Sequence, residues 1–363
     1  MAIEISRTGW MDAFIQRRSP NGFLQSLFTI KPGNIYNGKK VAIDIQRFGE
    51  QIALVVEHGT GPRLNDLDIF TTKEFTPPQY GEAVPFDVED LVERMVGVDP
   101  FTAAYTEYSS QLLAYMITGF ASIDDKIKRA VELQASQILT TGKLDLKDDA
   151  GATLYSLDFQ PKATHFVTTG TSWGPGVGDP IGDLQSLANV IRADGKVNPD
   201  RLIFGDGVAL REFLNNAEVQ SLLDNRRFEM GEIAPQFANS GATFYGFIWI
   251  GAYKFEIWCN PEMYEDPENP GTLLPYVPGD KVIMLSSQTR LDRTSARVPL
   301  PLGPDPRVSG LLPGRVSSSD ANFDVTPNMY CTPNGKQIMG ELESRTLLIP
   351  VQIDGFGCLD TVI

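Results

Sequence analysis

The sequence predicts an α+β fold, and three stretches carry the prediction. Two alternating runs, VAIDI (Val41 to Ile45) and LDIFT (Leu67 to Thr71), flank the turn-rich EHGTGP of residues 57–62. Next, SIDDKIKRAVELQASQILTTG (Ser122 to Gly142) repeats apolar side chains at helical spacing. Late in the chain, TLLIPVQI (Thr346 to Ile353) is apolar enough for a buried strand. A hairpin and a long helix come first, a mixed region follows, and strands come last, a pattern of segregated rather than strictly alternating elements.

Residues 1–38 mix Trp10, Phe14, Phe23, Phe28 and Tyr36 with Gly and Pro and keep no single period. They read as an extended arm with a short helix near Trp10 to Arg17, lying across another surface because the arm has no core of its own. From Val41 the alternation of Val41, Ile43 and Ile45 marks a strand that QIALVV extends. The chain turns near Gly59–Gly61, returns through Leu67, Ile69 and Thr71, and stops at Pro77–Pro78. Each strand of this hairpin is about 15 residues, roughly 50 Å extended at about 3.3 Å per residue. A two-stranded hairpin is marginal alone in water, so it needs a supporting surface, which a neighbouring copy can supply. Ile52, Leu54, Val55, Leu67, Ile69 and Phe70 would provide the apolar area, and Arg47, Glu50, Arg63, Asp66, Asp68, Lys73 and Glu74 the register.

Asp99 to Phe120 is helical in pattern, with Pro100 suited to a first turn and Gly119 marking a break. Ser122 then starts the next helix, with Asp125 near its positive end. Ile123, Ile127, Ala130, Val131, Ile138 and Leu139 form the packing stripe. Asp124, Asp125, Lys128, Arg129 and Glu132 form the opposite, solvated face, with Asp124–Lys128 and Asp125–Arg129 spaced for ion pairs. Gly142 is the stop. Farther on come a hairpin around Asp149–Gly151, a flexible Gly-rich loop GTSWGPGVGDP (Gly170 to Pro180), and a helix from Ile181. A short strand at Leu202 to Phe204 leads to another helix, a strand pair turns near Gly251, and GDKVIMLSS is a buried strand. Residues 296–335 are Pro-, Gly- and Ser-rich and read as irregular. In the tail, Pro350 suits an edge strand.

With 363 residues and 42% hydrophobic content the chain is globular, large enough for two domains, and rich in Gly (33) and Pro (25). No apolar run reaches the roughly 20 residues of a membrane span. The N-terminus has no basic-then-apolar leader, which points to a protein made and kept in a cytoplasm. The formal net charge is −15, although the first fifty residues hold seven basic and four acidic side chains. Such an acidic body repels phosphates and argues against sequence-specific nucleic-acid binding. The basic start suits contact with an acidic surface of another subunit.

Catalytic equipment is sparse. Cys259, Cys331 and Cys358 are far apart and read as buried small hydrophobes. His58 sits at a hairpin tip and His165 in an apparent strand, without a nucleophile motif near either. GTSWGPGVG lacks the ending of a phosphate-binding loop. Asp145, Asp148 and Asp149 resemble half a calcium loop, but Ser156 stands where the bidentate Glu belongs.

The order of parts carries a resemblance. The aromatic arm, the long hairpin, FTTKEFTPPQYGEAVPFDVEDLVERM (Phe70 to Met95), the helical SIDDKIKRAVELQASQILTTGKL and then DRLIFGDGVALREFL together resemble the major capsid protein E family of tailed bacteriophages, the lambda type. That family is similar in fold to the HK97 group of shell proteins. The resemblance spans nearly the whole chain, most firmly residues 38–145. It implies an N-terminal arm (1–40), an extended hairpin or E-loop (41–78), a peripheral P domain with the spine helix (79–154), an axial A domain (155–330) and C-terminal strands returning to the P domain (331–363). It further implies hexamers and pentamers of this chain in an icosahedral head shell, assembled in the bacterial host cytoplasm. Separate scaffolding, portal and decoration or cement proteins would take part, and double-stranded DNA would be packaged without sequence-specific contact or membrane. No catalytic, cofactor or metal residues carry over. An encapsulin-like cargo compartment, another virion component and an unrecognised hydrolase are the competing readings.

Overall fold

Backbone hydrogen bonding and an apolar stripe produce one long helix, α1, spanning Tyr108–Thr141. The computed structural model describes residues 20, 22–36, 41–45, 71–87, 108–147, 151–174, 177–223, 231–237, 241–296, 298, 325–333 and 337–362. Neither the break expected at Gly119 nor the start expected at Ser122 occurs, since both lie inside α1. Gly119 answers to packing instead. A Cβ there would stand 2.7 Å from the ring of Phe86, and a Cβ on Gly340 would stand 2.6 Å from the same ring. Two glycines thus let Phe86, only 1% exposed, wedge between the helix and a strand. That burial offsets the roughly 1 kcal/mol that a mid-helix glycine costs. Gly142 does stop the helix: its φ is 68°, and its N–H donates to the Ile138 carbonyl at 2.8 Å.

The centre of the molecule is a seven-stranded mixed sheet. Its strands run in the order Phe166–Thr168, Phe356–Asp360, Lys281–Leu285, Arg201–Gly205, Tyr253–Asn260, Thr243–Ile250 and Gly231–Phe237. The pairs Tyr253–Asn260 with Arg201–Gly205, and Phe356–Asp360 with Phe166–Thr168, are parallel; the others are antiparallel. Strand alternation sends Val282 and Met284 to one face and Ile283 and Leu285 to the other, and all four are buried.

Helices α2 (Pro180–Gly195), α3 (Val208–Asn215) and α4 (Ala217–Leu223) cover the first face, burying Leu184, Ile191, Phe213 and Val219 against Leu202, Phe204 and Phe255. Asp179 caps α2 by accepting the Gly182 N–H at 2.8 Å. The other face meets Val131, Ile138 and Leu139 of α1, together with Phe23, Leu24 and Phe28.

Smaller sheets flank this core. Thr29–Tyr36 pairs parallel with Leu291–Ala296, which pairs antiparallel with Thr346–Pro350. Pro350 therefore ends an edge strand, as its missing N–H requires. Tyr80–Asp87 and Thr326–Cys331 flank Gln337–Ser344. The Thr326–Cys331 strand lies within the stretch read as irregular; it holds Pro327 and survives because it too is an edge. Val41–Ile45 with Thr71–Phe75, Lys143–Lys147 with Thr153–Asp158, and Met263–Glu265 with Leu273–Pro275 form two-stranded ribbons.

Two loop expectations change. The Gly-rich loop is pinned at its described ends: Trp173 is buried, its indole N–H donates to Asp183 at 2.9 Å, and its backbone N–H donates to Thr361. His165 ends a short 3-10 turn, Ala163–His165, ahead of its strand.

Candidate assembly surfaces

Among the described residues no group of three or more His, Cys, Asp or Glu side chains could hold a metal ion. His165 is fully buried, with Nδ1 2.9 Å from the Phe356 carbonyl and Nε2 3.3 Å from Asp194. It joins the 3-10 turn to the sheet and to α2. Lys162 also bonds Asp194 and, as the leading cause, holds that carboxyl below its usual range. Burial pushes the Cys259 thiol up to about 11 and the Cys358 thiol up to about 12, so both are protonated and unreactive at neutral pH. Cys331, expected to be buried, is partly exposed. His58 lies outside the described residues.

The surfaces able to meet another chain begin with the ribbon of Val41–Ile45 and Thr71–Phe75. Its register runs from Val41 opposite Phe75 to Ile45 opposite Thr71. Of the residues expected to mediate contact, Lys73 stands opposite Ile43 and Glu74 opposite Ala42, with Glu74 exposed. Arg47, Glu50, Ile52, Leu54, Arg63, Asp66, Leu67, Asp68 and Ile69 lie outside the described residues. At the ribbon's foot Phe75 is buried, its ring 5.6 Å from that of Phe159.

The root of the N-terminal arm is built differently. Within the chain, Phe23, Leu24 and Phe28 enter its own core, and Thr29–Tyr36 joins one of its sheets. Glu132 of α1, expected on the solvated face, is fully buried. Its carboxylate accepts the backbone N–H of Leu24 at 2.7 Å and of Gln25 at 2.9 Å, capping the 3-10 turn Gln25–Leu27. Burial pushes this carboxyl up to about 7, the two amides pull it down, and the nearby Glu262 carboxylate adds to the rise. Asp125, also assigned to the solvated face, is buried as well.

Two further polar side chains of α1 work in the same way. Gln134 donates to the Thr346 carbonyl at 3.1 Å and to the Tyr80 hydroxyl, and accepts the Leu348 N–H at 3.3 Å. Ser136 donates to the Tyr276 carbonyl. Glu132, Gln134 and Ser136 thus tie one helix to four separate segments, at Leu24–Gln25, Tyr80, Tyr276 and Thr346–Leu348. Sequence reasoning missed them; the available signal was a row of polar residues among Val131, Ala135, Ile138 and Leu139. The pair Asp124–Lys128, at 2.6 Å, does lie at the surface as expected.

The matches to known proteins agree with this architecture. The model of the phage major capsid protein E family matches residues 11–356. The protein assigned as a capsid protein of a prophage in E. coli CFT073 superposes with a TM-score of 0.60 at 15% identity, covering 94% of this chain and 93% of its own. A Microbacterium phage Oxtober96 structure matches at a TM-score of 0.49 and 8% identity, over 96% and 94% of the two chains. The SrpI encapsulin of Synechococcus elongatus PCC 7942 matches at 0.46 and 11%, over 96% and 92%. The last two scores are too low to carry weight, and none of these identities bears on more than fold. No curated protein sequence matches the chain. A family model spanning nearly the whole chain, over an HK97-like α+β fold, places this chain in the phage major capsid protein E family, whose members form the shell of the virion head.

Proposed function

We propose that this chain builds the icosahedral head of a tailed phage around double-stranded DNA, assembling as hexamers and pentamers in the host cytoplasm. The observation that carries the reading is the family match over residues 11–356. Within it, residues 1–40 act as the arm, 41–78 as the E-loop, 79–154 as the P domain, 155–330 as the A domain, and 331–363 as strands returning to the P domain. The hairpin of residues 41–78 is the intersubunit clasp, with Ile52, Leu54, Leu67 and Ile69 supplying apolar contact. Arg47, Glu50, Arg63, Asp66, Asp68, Lys73 and Glu74 set its register. What supports this is a ribbon paired only to itself among the described strands, carrying the exposed Glu74. Side chains of this chain perform no covalent chemistry in the reading. Scaffolding, portal and decoration proteins complete the assembly. The net charge of −15 keeps the wall from gripping its cargo. Negative-stain microscopy of the purified chain should show closed shells, tubes or capsomer rings; only monomers at high concentration would sink the reading. Particles from infected cells should contain DNA, whereas an enzyme cargo without DNA would point to an encapsulin-like compartment.

A further inference from the structure

The buried ring of His165 sits where three elements of the chain meet. The turn Ala163–His165 carries it, the last turn of α2 brings Asp194 to one ring nitrogen, and the strand Phe356–Asp360 brings a main-chain carbonyl to the other. These elements are closely packed. A Cβ on Gly357 would stand 2.6 Å from the His165 carbonyl oxygen, and one on Gly195 would stand 2.2 Å from that of Asp354. The Phe166 and Phe356 rings meet edge to face at 6.1 Å, and the Gln352 amide donates to the Gly195 carbonyl at 2.5 Å.

Both ring nitrogens face acceptors. The Phe356 carbonyl, 2.9 Å from Nδ1, has no hydrogen to give, and neither has an ionised Asp194 carboxylate, 3.3 Å from Nε2. A neutral imidazole carries one ring N–H, so in either tautomer one nitrogen lone pair would point at an oxygen lone pair. The imidazolium carries two N–H groups and satisfies both oxygens. Asp194 is ionised, because Lys162 donates to its other oxygen at 2.5 Å and is the leading cause that holds the carboxyl below its usual range. Lys162 is the competing cation, but its side chain is 42% exposed and stays solvated. Arg192 also lies in the last turn of α2, and the turn Ile353–Gly355 holds the buried Asp354 just ahead of Phe356. The C-terminal end of α2 carries the negative end of the helix dipole, which favours a cation there.

We propose that His165 is held as a buried imidazolium, and that its Nε2 proton is a pH-sensitive fastener joining the turn Ala163–His165 and the strand Phe166–Thr168 to α2. The Nε2–H bond to Asp194 exists only in the protonated form. The fastener is therefore closed on the acid side of that proton's loss and open on the alkaline side, where two acceptors are left facing each other. The inference concerns a single subunit and stands whether or not the chain closes a shell.

The chain has two histidines, so isotope-labelled histidine in the full chain gives two ring systems, and either His58→Gln or His165→Gln identifies which is which. Solid-state NMR reads them in assembled and unassembled protein alike. At neutral pH both ring nitrogens of His165 should carry hydrogen; a bare nitrogen there overturns the proposal. Amide hydrogen exchange, corrected for its intrinsic pH dependence, tests the fastener. Protection of residues 163–168 should fall about tenfold as pH is raised past the loss of the Nε2 proton, the effect of one hydrogen bond to a charged group. Unchanged protection overturns it. Asp194→Asn should remove the step, because an amide can either accept from Nε2–H or donate to a bare Nε2. A step of the same size in that variant overturns the pairing with Asp194.

Discussion

Residues 22–28 and the ribbon of Val41–Ile45 with Thr71–Phe75 lie close together in the sequence, yet the body holds them in different ways. The first segment inserts Phe23, Leu24 and Phe28 into the core, and Glu132 fixes its backbone from α1. The second pairs strand to strand and enters the core only at Phe75 among its described side chains. Main-chain pairing alone satisfies donors and acceptors but leaves a ribbon's placement open. Buried side chains and a buried acceptor make a segment part of the body.

Breaking the arm root should have the largest effect on stability. Leu24→Ala leaves a cavity at a site with no exposure and should cost about 2–5 kcal/mol in denaturant unfolding. On the ribbon, Glu74→Ala should cost under about 0.5 kcal/mol. Equal losses would erase the distinction.

Glu132→Ala should cost a comparable amount, since it strands two backbone N–H groups at about 1–3 kcal/mol each. Glu132 also gives the arm root a pH signature. Burial holds its carboxyl near 7 against an ordinary 4.5, so the folded chain binds this proton more tightly than the unfolded chain. The group's contribution to stability is full below about pH 4.5 and is lost as pH rises through about 7. The wild type should therefore lose up to about 3 kcal/mol of unfolding free energy between about pH 5 and pH 8 that Glu132→Gln does not lose. Parallel slopes for the two proteins in a melting series would refute this.

Deleting residues 50–70 with a short Gly/Ser linker sharpens the comparison from the other side. Body stability should change by about 1 kcal/mol or less, as a loop-length change does. Sedimentation should nevertheless show monomers or small capsomers and no closed shells. Normal particles from this variant would remove the clasp role. Lys128→Ala, which breaks a half-exposed pair with Asp124, should likewise shift stability by at most about 1 kcal/mol. A larger loss would mean that this face of α1 is buried after all.

Local periodicity on its own determined the α+β class, the helical run from Ser122 with its stripe at Ile123, Ile127, Val131, Ile138 and Leu139, and the stop at Gly142. The strand pair turning at Gly251 and the edge position of Pro350 were legible in the same way. These features depend on neighbours a few residues apart, and the order of residues along the chain records them directly. Tertiary structure decided the rest. Gly119 looked like a helix break because propensity is local, but the ring that needs its missing Cβ belongs to Phe86, far off in sequence. Glu132 looked solvated because a charge costs too much to bury alone; the two amides that offset that cost come from Leu24 and Gln25, more than a hundred residues away. No periodicity within α1 encodes such partners, since they exist only once the chain has folded back on itself.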